Sequence, residues 1–97
     1  MKVKNRVVFN RLEELAPPYL AENWDNSGLQ LGAKDRTAEA VLVTLAVDDR
    51  AVDRALEVGA NLIISHHPLF FKGIKVIDYE SPTGRLIRKL IKHDITV

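Results

Sequence analysis

The sequence predicts a layered α/β fold around a mostly parallel sheet. Three observations carry that prediction. Val41 to Val47 is a continuous β-rich apolar run, as expected of a strand covered on both faces. Asn61 to Ser65 is a second, shorter buried run. Between them Val52, Ala55 and Leu56 mark the inward face of a helix, so the unit reads strand, helix, strand and implies a right-handed parallel crossover.

The other elements follow in order. Val8, Phe9, Leu12 and Leu15 recur at helical spacing, Asn5 can cap that helix, and Pro17-Pro18 ends it for want of a backbone donor. The stretch from Ala21 to Gly32, polar and holding Gly28 and Gly32, reads as an ordered loop leading into a short strand, with Trp24 as a buried anchor. Asp48 or Asp49 can cap the central helix, and Gly59 is placed to end it. Leu69 to Ile77 is apolar but broken by Lys72-Gly73, which suggests a loop with a short extended piece. Ser81-Pro82 is a cap with proline at the first helical position. Leu86, Ile87, Leu90 and Ile91 then make the inward stripe, and Lys89, Lys92 and His93 sit at the negative helix end. Ile95-Thr96-Val97 opens a third strand.

Composition narrows the function classes. With 46% apolar and 28% charged residues over 97 positions, the chain suits one small globular domain. A net charge of +1 supplies no general pull toward nucleic acid or anionic lipid, so neither is an expected partner. The absence of cysteine excludes disulfides and thiolate zinc sites. There is no apolar run of the ~20 residues a membrane helix needs. The charged start also lacks a secretory pattern, so a cytoplasmic protein is expected.

The strongest chemical signal is Ser65-His66-His67-Pro68. In a parallel α/β sheet ligands gather beyond the carboxyl ends of strands, and this pair follows such an end. Neutral imidazole suits zinc, manganese, iron or nickel. Neighbouring side chains on a regular strand point to opposite faces, so the two rings would face two ions rather than chelate one. The competing reading is a pair of loop or core histidines without a ligand. Asp48 lies at the end of the neighbouring strand and could reach the same crevice, or simply cap the next helix. Asp25 and Asn26 could line the cleft or serve as turn formers. Lys72 and Lys75 could meet an anionic substrate or be solvated, and His93 is accounted for by its helix end.

Several segments together resemble one family, the GTP cyclohydrolase 1 type 2 or NIF-three-like dinuclear-metal proteins. They are Leu15-Ala16-Pro17-Pro18, the run Ala21-Glu22-Asn23-Trp24-Asp25-Asn26-Ser27-Gly28-Leu29-Gln30-Leu31-Gly32, Asp48 after its strand, the run from Gly59 through Ser65-His66-His67-Pro68 to Phe71, and Gly84-Arg85-Leu86-Ile87 on to Val97. The resemblance implies two αβ layers, a toroidal homohexamer, and a pair of divalent ions per subunit with His66 and His67 among the ligands. It also implies a metal-dependent hydrolase acting on a nucleotide-like or phosphate-bearing substrate, or alternatively a non-catalytic metal-binding assembly or adaptor protein. The family's later ligands, an aspartate and then a histidine and glutamate, have no counterpart within residues 1–97. Those residues are therefore expected to form an N-terminal αβ domain, incomplete at its C-terminus, that is inactive alone. Asn61 stands where the family often has aspartate, at a strand start and away from the expected metals.

Overall fold

The computed structural model describes residues 2–16, 27–70 and 73–97. Its order is β1 (Val3–Lys4), α1 (Asn5–Leu15), β2 (Thr37–Ala38), β3 (Val41–Thr44), α2 (Asp49–Val58), β4 (Leu62–Ser65) and α3 (Pro82–Lys92). Strands β3 and β4 pair in parallel, from Val41 opposite Leu62 to Thr44 opposite Ser65. Residues 95–97 extend the sheet beyond β4 through a parallel bridge between Leu62 and Thr96. On their far side Val97 and Leu31 exchange backbone hydrogen bonds of 2.8 and 3.2 Å, so the loop before residue 33 borders the sheet without forming a full strand. The layered α/β architecture expected from the sequence is the one observed.

Both crossovers step the same way across the sheet, which lays α2 and α3 on one face. Val52 and Ala55 of α2, Leu86 and Leu90 of α3, and Ile63, Ile95 and Val97 make one buried cluster, with Leu42 packed against it. The opposite face is not covered throughout. Val41 is 42% and Val43 74% exposed, so the expectation of burial on both faces fails for β3. The apolar run also yields a strand only as far as Thr44. Leu56 and Ile91 are likewise exposed, because each lies roughly a quarter-turn from the centre of its helix's buried face. The inward residues are Ala51, Val52 and Ala55 on α2, and Gly84, Leu86, Ile87 and Leu90 on α3.

The helix ends follow the chemistry of their sequences, with one exception. Gly59 closes α2 in the left-handed conformation at φ 73°, and the Ser81 hydroxyl accepts from the Gly84 amide at 2.9 Å to open α3. Asn5, expected to cap α1, is instead its first helical residue and is fully buried. The amides of Asn5 and Arg6 donate to the carbonyls of Arg36 and Lys34 at 2.8 and 2.7 Å, so loop carbonyls do the work of a cap. The Asn5 Nδ2 also donates to the Ala33 carbonyl at 2.9 Å. Beside it Arg6 grips Asp35 with both ends of its fork, at 2.9 and 3.2 Å. That hydrogen bonding, and then the guanidinium charge, holds the exposed Asp35 carboxyl below its ordinary range. Pro17-Pro18, Trp24, Asp25, Asn26 and Lys72 lie outside the described residues. Among the described residues of 69–77 there is no strand, so the short extended piece expected there is not seen.

Asn61 links the two sheets. Its Oδ1 accepts from the Glu39 amide and its Nδ2 donates to the Thr37 carbonyl, both at 2.8 Å. Asn61→Ala removes both bonds from a half-buried position and is expected to cost about 1–3 kcal/mol, read as a lower midpoint in urea unfolding.

Candidate metal centre

Strand β4 is anchored by Leu62 and Ile63, which are 0% and 1% exposed, and it delivers the chain to the carboxyl edge of the sheet. There the strand stops and the chain bends at His66 and His67, both exposed. The His66 amide donates to the Thr44 carbonyl at 3.1 Å, and the His67 amide to the Leu45 carbonyl at 2.9 Å. In a regular parallel ladder only alternate amides point toward the same neighbour. Two consecutive amides bonding to consecutive carbonyls mean that strand geometry has ended.

The consequence is visible in the rings. Their centroids are 5.1 Å apart with planes inclined at 58°. Side chains alternating across a sheet would hold the rings much farther apart. The two imidazoles therefore sit side by side, and the alternation expected from an ideal strand does not apply to them. The Ser65 hydroxyl donates to the His67 carbonyl at 2.7 Å within the same bend. Farther along, the Phe70 amide donates to Gln30 Oε1 at 3.3 Å, tying the segment after Pro68 to the loop beside residue 97. Ser65 entered the sequence analysis only as the first residue of the histidine motif, and Gln30 not as a site residue at all. Only the placement of Ser65 directly before the paired histidines could have pointed to it.

The donor chemistry suits divalent ions of the zinc, manganese, iron or nickel kind: two accessible imidazoles at one sheet edge. It is an incomplete set, since among the described residues no group of three histidine, aspartate, glutamate or cysteine side chains could hold an ion. Asp48 does not join the pair. Its Oδ1 accepts from the Ala51 amide at 2.8 Å as the cap of α2. It borders an open polar hollow with Thr44, Arg50, Asp53, Arg54 and Glu57, and no histidine lines that hollow. Asp48→Ala is thus expected to cost about 1 kcal/mol of stability by thermal unfolding and to leave zinc affinity unchanged by calorimetry. His93 occupies the C-terminal cap of α3, and Lys75 is exposed in the segment before that helix.

The chain resembles known proteins in sequence and in fold. The chain is 42% identical over its whole length to a GTP cyclohydrolase 1 type 2 homolog of Listeria monocytogenes. It is 39% identical over 98% of its length to the homolog of Bacillus subtilis. It spans 26% of each of those relatives. The crystal structure of a Bacillus cereus protein related to NIF3 superposes with a TM-score of 0.94 at 38% identity, over 98% of this chain and 26% of that one. A Staphylococcus aureus protein superposes at 0.91 with 41% identity, over 97% and 27%. No helix among the described residues is long and apolar enough to cross a membrane. One family's model matches residues 1–97, and the chain belongs to that family, Duf34/NIF3 (NGG1p interacting factor 3).

Proposed function

We propose that this chain supplies His66 and His67 as ligands to a pair of divalent metal ions in a hydrolase of nucleotide-like or phosphate-bearing substrates. One observation carries the reading: two imidazoles held side by side at the carboxyl edge of a parallel sheet, by backbone bonds to the neighbouring strand. Paired ions in such a crevice would supply an activated water and neutralise charge on a displaced oxygen. The chain's own residues would fix ligand direction, through the bend at 65–67 and the apolar strand behind it. Zinc, manganese, iron and nickel all suit imidazole. The name shared by the relatives, GTP cyclohydrolase 1 type 2 homolog, supports a nucleotide as the substrate class. A cytoplasmic location and assembly into a toroidal homohexamer belong to the same proposal.

Residues 1–97 by themselves would bind metal weakly and lack turnover, because a working site takes about three or more protein ligands. The second reading, a metal-binding assembly or adaptor protein without turnover, is favoured by the family's description as an interacting factor. The two separate on one experiment. A full-length relative is incubated with GTP and with simple phosphodiesters, with and without manganese or zinc, and again after alanine replacement of the histidines matching His66 and His67. Metal-dependent turnover that the replacements abolish supports the hydrolase. Metal binding without turnover of any of these compounds supports the adaptor, and absence of metal binding overturns both.

A further inference from the structure

We infer that Thr44 is a positioning residue for the imidazole pair, its hydroxyl fixing the turn that presents two consecutive carbonyls to His66 and His67. Its part in metal binding rests on the metal-ligand reading given above.

Successive carbonyls of a regular strand point to opposite neighbours. Those of Thr44 and Leu45 both face the segment after β4, where they accept the His66 and His67 amides at 3.1 and 2.9 Å. The backbone therefore rotates at Leu45, the residue directly after the end of β3. Burial does little to hold Leu45 in that conformation, since its side chain is 64% exposed. The bond that spans it joins its two chain neighbours, the Thr44 hydroxyl donating to the Ala46 carbonyl at 3.0 Å. Closing residue 44 onto residue 46 fixes the rotation between them. Thr44 is itself located by its register with Ser65 of β4, and it is half-buried. The hydroxyl thus carries the order of the sheet one residue beyond the strand, to the second acceptor of the pair. His67 makes a further interaction of its own, and what Thr44 determines is the direction of the carbonyls offered to the two histidines. Without the hydroxyl, Leu45 can return toward extended geometry, which turns its carbonyl away from His67.

The test uses Thr44→Val, which keeps the branched shape without the hydroxyl, and Thr44→Ser, which keeps the hydroxyl. Amide hydrogen exchange is measured by NMR in the metal-free chain. Zinc affinity is measured by calorimetry, and the cobalt(II) visible spectrum reports ligand geometry. In Thr44→Val the His67 amide is expected to exchange about tenfold faster, the value of one hydrogen bond, while the buried Ile63 amide keeps its wild-type rate. Zinc affinity should fall by about 10–100-fold, as for other groups that orient a ligand, with an altered cobalt spectrum. Thr44→Ser should match the wild type in all of these. The assignment is overturned if Thr44→Val keeps both the exchange rate and the affinity, if both variants fall alike, or if Ile63 is accelerated as much as His67. A wild-type chain that takes up no zinc, while His67 exchange still depends on the hydroxyl, overturns the metal reading and supports the hold of Thr44 on the turn.

Discussion

Replacing His66 with alanine is expected to lower the zinc affinity of the chain by about 100-fold or more, beyond the roughly 10–100-fold that loss of an orienting neighbour costs. The same holds for His67→Ala, and the comparison of the two is informative. If each ring holds its own ion, either single variant retains one weakened site, and calorimetric stoichiometry falls from two ions to one. If both rings close on one ion, either variant abolishes binding and the double variant adds nothing. The side-by-side placement, with centroids 5.1 Å apart, is compatible with ions at the roughly 3.5–4 Å separation common in two-metal sites. Neither substitution should lower the unfolding temperature appreciably, since both rings are exposed and the apolar cluster lies beneath α2 and α3. Affinity equal to wild type in the double variant would end the metal reading.

The contrast between what was legible in the sequence and what was not has a physical pattern. Local signals read well. Asp48, Gly59 and Ser81-Pro82 bound their helices as their side-chain chemistry requires, and the parallel pairing of β3 with β4 followed from two apolar runs and the helix between them. Non-local partnerships did not. Asn5 looks like a cap because its type suits one, yet loop carbonyls some thirty residues away satisfy the start of α1. The pairing of β1 with β2 joins Val3 to Ala38 across a stretch that includes α1, and two-residue strands leave no periodicity to read. At the site the motif itself was plain, but not the relative direction of its rings. Strand alternation predicts divergence, and only the consecutive bonds to Thr44 and Leu45 reveal that alternation has already stopped. The open face at Val43 is the complementary lesson. An apolar run reports what a strand can bury, whereas actual burial depends on which side the crossovers place their helices.

Gly32→Ala should be strongly damaging, because backbone strain and a collision fall on the same residue. Gly32 adopts φ +108°, where an L side chain is strained, and a Cβ built there falls 2.7 Å from the Thr96 Cα. That neighbour cannot retreat cheaply. Thr96 is 2% exposed, its amide and carbonyl are bonded to Asn61 and Ile63 at 2.9 and 2.8 Å, and its Oγ1 accepts from the Ala33 amide at 3.3 Å. Moving it would pull residues 95–97 off β4. Backbone strain of about 1–3 kcal/mol and overpacking of similar size then add, because they act on different coordinates. A combined loss of about 3 kcal/mol would lower the unfolding temperature of a chain this size by roughly 12–24 °C. Gly28→Ala is the matched control. Gly28 has nearly the same backbone conformation, φ +104°, but nothing among the described residues lies within 4 Å of its added Cβ, so it should show the strain without the collision. Thermal unfolding followed by circular dichroism separates the two contributions. Equal losses at both glycines would mean that the close approach of residue 32 to the sheet is not what holds the third strand in place.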